Sequence, residues 1–162
     1  MRRVGWILLV LVASLVGVVA FGACLTLPHH TVSPYDESPE AARAIEARAV
    51  AWCTAHGEPA GPPPRPFRFD GCSWFPDRFG ESVWRDCCEE HDYAYWCGGS
   101  ARDRERADAR LGECVAGAAS PGLGRLMRLG VRVGGHPVVP IYFRWGYGHA
   151  YRGGYPSTPS AP

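Results

Sequence analysis

After Arg2 and Arg3 the chain runs from Val4 to Ala23 uncharged and almost wholly apolar, with no amphipathic phase. Those 20 residues are enough to cross a bilayer core. The order, basic then apolar, is also that of a signal peptide. From Pro28 to Ser38 the chain turns polar and Pro-containing, which reads as a tether. Helical phase begins at Ser38-Pro39-Glu40, where Ser is placed as an N-cap and Pro at the first helical position. Ala42, Ile45, Ala49 and Trp52 recur at helical spacing through Cys53, and Gly57 ends that helix. A stiff, Pro-rich connector follows from Pro59 to Pro66. Ser82 to Cys97 is predicted as a helix stopped by Gly98-Gly99. Ser100, with Asp103 three residues on, starts another that runs to about Ala118. The segment Gly122 to Gly154 is dominated by Gly, Pro and aromatic residues. It is expected to form loop or short strands packed over the helices, in preference to an aromatic surface at a bilayer interface.

The two central helices are joined by a Gly-Gly turn and so form an antiparallel hairpin. In such a hairpin the numbers of facing residues add to a near-constant value. That places Cys87 opposite Cys114, Ala94 opposite Ala107 near the turn, and His91 close to Asp108. Cys87, His91 and Tyr95 share one stripe of their helix.

Composition adds the compartment. The 162 residues include 7 Cys, 20 Gly and 15 Pro. The 17 basic residues, all Arg, against 16 acids give a net charge of +1. A chain so close to neutral does not fit a non-specific nucleic-acid binder. Phe21-Gly22-Ala23-Cys24 resembles the end of a bacterial lipoprotein signal. Lipidation at Cys24 and an uncleaved membrane helix are the two leading readings, with simple cleavage after Gly22 a third. All three export the chain to an oxidising space. Cys53, Cys72, Cys87, Cys88, Cys97 and Cys114 then form a disulfide framework, for which the count alone leaves 15 pairings open. The expected organisation is an export or anchor segment over 1–24, a tether over 25–37, a folded domain over 38–155 and a disordered tail over 156–162.

Cys87-Cys88-Glu89-Glu90-His91-Asp92-Tyr93-Ala94-Tyr95 resembles the active-site helix of the secretory phospholipase A₂ superfamily, whose signature is C-C-x-x-H-D-x-x-Y. Asp108, six residues before Cys114, matches that family's second catalytic Asp, and Cys72, 16 residues before Cys88, the Cys of its calcium loop. The resemblance covers Asp70 to Val115. It implies a mainly α fold: a disulfide-stapled antiparallel helical hairpin of phospholipase A₂ type with Gly/Pro/aromatic-rich loops. It also implies the disulfides Cys72–Cys88 and Cys87–Cys114, which leave Cys53 and Cys97 to each other. Ala94 and Ala107 replace a further disulfide of the animal enzymes, and the Gly-Gly turn replaces a long segment. The usual Gly-rich calcium loop is replaced by Asp70-Gly71-Cys72-Ser73-Trp74-Phe75-Pro76-Asp77.

By the same resemblance, His91 is the base that activates water for hydrolysis of a glycerophospholipid ester. Asp108 stabilises its imidazolium, and Tyr95 orients Asp108. Asp92 is about 100° further round the helix and would bind calcium (Ca2+) with loop oxygens from Asp70, Gly71, Ser73 and Phe75, Asp77 being an outside option. The partner implied is membrane phospholipid. The rival is a non-catalytic envelope or binding module that kept the hairpin for stability. A zinc site of Cys87, Cys88, His91 and Cys97 is a minor alternative. Glu89, Glu90 and the alternating Arg102, Arg104, Arg106 and Arg110 read as solvated helix faces. Trp84 is assigned to the core, and Trp74 and Phe75 to core or rim.

Overall fold

The computed structural model describes residues 38–56, 62–149 and 154–155. All belong to the second of two units into which the chain divides, Thr31–Pro162. The expected export segment 1–24, the tether 25–37, the helix end at Gly57 and the tail 156–162 lie outside the described residues.

Helix α1 spans Pro39–His56 and starts as its sequence signals, with Ser38 Oγ accepting the Ala41 amide at 3.1 Å. Its inner face buries Ile45, Ala49 and Cys53. A small antiparallel ribbon follows, β1 Arg78–Phe79 against β2 Ser82–Val83, with Arg78 opposite Val83. The next helix, α2, is Arg85–Cys97. It begins later than the Ser82 expected, because Ser82 and Val83 are spent on the ribbon. Trp84 pins the change of direction: its amide donates to Asp77 O at 3.0 Å and its buried indole to Pro76 O at 2.6 Å.

Gly98 and Gly99 take positive φ values of 74° and 119°, conformations costly for any residue with a Cβ. The chain thereby reverses into α3, Ala101–Ala118, whose Ser100–Asp103 capping box is fully formed. Ala94 and Ala107 are both buried where the helices approach. Three disulfides brace this hairpin. Cys87–Cys114 joins α2 to α3, Cys72–Cys88 ties the 70–77 loop to α2, and Cys53–Cys97 ties α1 to the turn. Each restricts the unfolded chain and contributes roughly 2–4 kcal/mol. With all six of these Cys oxidised, the cluster offers no thiolate for zinc. The disulfides are consistent with an exported protein. No helix among the described residues is long and apolar enough to cross a membrane.

The segment after α3 departs from expectation. Pro121–Gly134 is a fourth helix, α4, not loop or strands. It carries the same start signal as α1: Ser120 Oγ accepts the Leu123 amide at 3.3 Å and Pro121 opens the helix. Four glycines hide it in the sequence, each less favourable in a helix than Ala by about 1 kcal/mol. Tertiary contact reverses that preference. A Cβ on Gly124 would collide with the Gly112 carbonyl oxygen of α3 and come 2.9 Å from the Ala116 Cβ. The missing side chain thus lets α3 and α4 pack backbone to backbone. Among the described residues, 135–149 form the expected aromatic loop over the hairpin. There Trp145 is buried and donates its indole N–H to Gly99 O at 2.9 Å, while the Gly146 amide reaches Tyr95 O at 2.7 Å. Trp74 is exposed and Phe75 half-buried against the core.

Gly124→Ala should therefore lower stability by about 1–3 kcal/mol through overpacking. Gly130→Ala, on the same helix but with open space where its Cβ would stand, should be neutral or stabilising by up to about 1 kcal/mol. Thermal denaturation of the two variants separates the effects. Equal shifts would mean the α3–α4 contact is not as close as described.

Candidate active site

His91 and Tyr95 lie one turn apart on α2, so both reach across the hairpin toward α3. There they meet Asp108, which is 0% exposed. His91 Nε2 is 3.2 Å from Asp108 Oδ1, and the Tyr95 hydroxyl donates to the same oxygen at 2.7 Å. The other carboxylate oxygen, Oδ2, accepts from Arg132 Nη1 of α4 at 3.0 Å and lies 3.8 Å from Arg104 Nε.

Arg104 was expected on a solvated face, yet it is 1% exposed. It donates to the Val131 and Arg132 carbonyls at 2.9 and 2.6 Å, to the Tyr155 hydroxyl at 3.1 Å and to the Tyr95 hydroxyl at 3.3 Å. Those carbonyls belong to the last turn of α4, at the negative end of the helix dipole, where the Val131 oxygen also accepts the Gly135 amide at 2.9 Å. The guanidinium supplies both donors and opposite charge. The element that covers this face is α4, which the glycines hide in the sequence.

Burial alone would raise the Asp108 carboxyl. The hydrogen bonds from His91, Tyr95 and Arg132 outweigh it and hold Asp108 below the usual carboxylate value. Burial and the adjacent Asp108 charge push the Tyr95 phenol far up, so Tyr95 remains a donor. Burial opposes charging His91, but the Asp108 and Asp92 carboxylates overcome it and raise the imidazole above its ordinary value. In the neutral ring, a proton on Nε2 directed at Asp108 leaves Nδ1 as the basic nitrogen, 3.7 Å from Asp92 Oδ1.

Asp92, one residue on, faces elsewhere. It lines a cavity of about 440 Å³ with Asp70, Phe67, Phe69, Tyr142 and Phe143. Burial pushes its carboxyl up to about 6; His91 opposes this, and the charges of Asp70 and Asp77 add to it. Asp70 accepts from Ser73 Oγ at 2.6 Å and from the Tyr142 hydroxyl. Gly71 is buried with the Asp77 carboxylate packed against it, and Asp77 Oδ1 accepts the Cys72 amide at 2.8 Å. Asp77 is thus the internal brace of the loop. Phe75 closes the turn by donating its amide to Cys72 O at 3.1 Å.

Asp70 and Asp92 therefore share one cavity, with Gly71, Ser73 and Phe75 in the turn beside it and the Ser73 hydroxyl engaged by Asp70. Among the described residues no three His, Cys, Asp or Glu side chains gather as a metal site. A hard cation here would add main-chain oxygens to the two carboxylates, the donor chemistry calcium prefers. A buried Asp whose charge is opposed by two neighbouring acids fits a role in holding such a cation.

Three side chains at these sites escaped the sequence reading: Arg104, Arg132 and Tyr142. Ser120-Pro121 was the available signal for the helix that carries Arg132. Nothing local marked Tyr142. Glu89 also differs from expectation, because Arg48 of α1 holds it at 2.9 Å and Tyr93 donates to it. Glu90 remains exposed. Comparison of the chain with protein-family models, with curated proteins and with solved structures found no match.

A carboxylate with a depressed folded-state pKa contributes stability above its unfolded value, and that stability is lost as pH falls through the folded value. Asp108 is such a group, as is Asp103, lowered despite burial by Ser100 and Arg106. Asp108→Asn should cost about 3 kcal/mol at neutral pH, because two guanidinium groups then face an uncharged amide. It should also flatten the fall in stability below about pH 4. Urea unfolding across pH reads both effects. An unchanged acid limb would remove Asp108 from this role.

Proposed function

We propose that the domain is a phospholipase A₂-like ester hydrolase acting on membrane glycerophospholipids with calcium. The observation that carries this reading is the buried assembly in which Tyr95 and Arg132 fix Asp108 and Asp108 fixes His91. A hydrolytic base needs an imidazole held in one tautomer, with a carboxylate behind it to stabilise the cation that forms. His91 has that carboxylate on Nε2 and its second nitrogen on the side of Asp92. In this reading Nδ1 takes a proton from water as the water attacks the ester carbonyl, and later returns it to the leaving alcohol. No side-chain nucleophile is needed, and the six Cys of the domain are all oxidised.

Asp92 and Asp70 would hold calcium together with oxygens from Gly71, Ser73 and Phe75. Calcium, when bound, supplies positive charge for the ester carbonyl and phosphate. Phe67, Phe69 and Phe143 give the cavity beside Asp92 apolar walls, suited to part of an acyl chain.

One observation favours the rival, a non-catalytic module. Both Asp70 oxygens are engaged, by Ser73 and by Tyr142, as in a structural brace.

Hydrolysis of phospholipid in mixed micelles by the full chain, with and without calcium, separates the two. The enzyme reading expects calcium-dependent fatty-acid release, reduced about a hundredfold or more by His91→Gln. Equal inactivity of folded wild type and variant across several headgroups would favour the module. Calorimetry of calcium binding to wild type and Asp92→Asn tests the cofactor separately: the variant should lose the heat of binding.

A further inference from the structure

We infer that the outward face of α4 is a docking surface for an anionic lipid bilayer. The inference stands on α4 alone and holds whether or not the chain is an enzyme.

α4 is apolar on two sides. Its inner side buries Met127 and Gly124 against the rest of the fold. Leu126, Leu129 and Val133 follow one another at three- and four-residue spacing, within about 60° of the helix circumference and roughly opposite that buried side. They are 56%, 62% and 70% exposed. A surface helix normally places polar residues there. Only Gly122 and Gly130 complete this outer stripe, and neither is polar. Val138, just beyond the helix, is also exposed.

The charge along α4 indicates the occupant. Arg125 and Arg128 lie beside the apolar stripe; Arg132 continues the row but gives its guanidinium to Asp108. Arg125 and Arg128 are exposed. From Cys114 to Pro162 the chain has five Arg and no Asp or Glu. An apolar stripe edged with Arg is the pattern of a helix that lies in the headgroup layer, its side chains in the acyl boundary and its guanidinium groups on lipid phosphates. A second copy of the chain fits less well. Face-to-face pairing of two such helices would bring two Arg rows together with no acid on either helix to match them.

The test is amide hydrogen exchange over 121–134, measured on the full chain. A local readout is needed because the apolar run at 4–23 could itself hold the chain on vesicles. With phosphatidylglycerol-containing vesicles, exchange over 126–133 should slow by about tenfold. Phosphatidylcholine vesicles should have little effect. Leu126→Ser/Leu129→Ser/Val133→Ser, which alters only exposed positions, should keep its circular dichroism and lose the protection. Arg125→Gln/Arg128→Gln should weaken it. No slowing on anionic vesicles would overturn the proposal, as would equal slowing on both lipids. Concentration-dependent protection without lipid would assign the face to a second copy instead.

Discussion

One buried carboxylate organises this domain. Asp108 has no contact with solvent, and a carboxylate in that position costs several kcal/mol unless matched by donors and opposite charge. The match comes from three helices. α2 supplies His91 and Tyr95, α4 supplies Arg132, and α3 itself adds Arg104 one turn before Asp108. Arg104 in turn satisfies the last carbonyls of α4. Pulling α4 away would strand both a buried carboxylate and a buried guanidinium. The polar contacts that help hold the fourth helix in place therefore also orient the imidazole.

Covalent and steric constraints make that convergence possible in a small chain. The three disulfides reach α2 from different sides: the loop at Cys88, α3 at Cys87 and α1 at Cys97. A domain of this size buries a limited apolar core, and such cross-links compensate. On the other side of α3, the absence of side chains at Gly112 and Gly124 brings α4 close enough for Arg132 to reach Asp108. A frame fixed this way tolerates two charged groups in its interior because neither can move away from the other.

Asp92 and Asp108 show how far environment overrides residue type. Both are buried aspartates beside the same histidine. Asp108 accepts from a phenol and a guanidinium as well and is held low. At Asp92 burial outweighs the contact with His91, and the charges of Asp70 and Asp77 add to it, so its carboxyl rises to about 6. The contrast divides the labour expected in the proposed chemistry: a carboxylate held in its charged form behind the imidazole, and one facing the cavity whose charge invites a cation.

Much of this was legible in the chain order. The Gly-Gly turn and the capping box define the hairpin, because glycine φ values and Ser–Asp reciprocity are local properties. Antiparallel register then places Cys87 by Cys114 and His91 by Asp108, since helix geometry converts sequence spacing directly into distance. What could not be read was whatever depended on α4. Its glycines lower helix propensity locally and are favoured only because another backbone lies against them. With α4 unseen, Arg104 looked like surface, Arg132 had no target, and the apolar stripe of Leu126, Leu129 and Val133 had no helix to belong to. Tyr142 reaches Asp70 across 72 residues, a separation that no local pattern encodes. Near-neighbour geometry is enough to define the hairpin and its histidine–aspartate pair, so chain order carries both. The charge state and enclosure of that pair come from packing by distant segments, because burial is a property of everything packed around a residue.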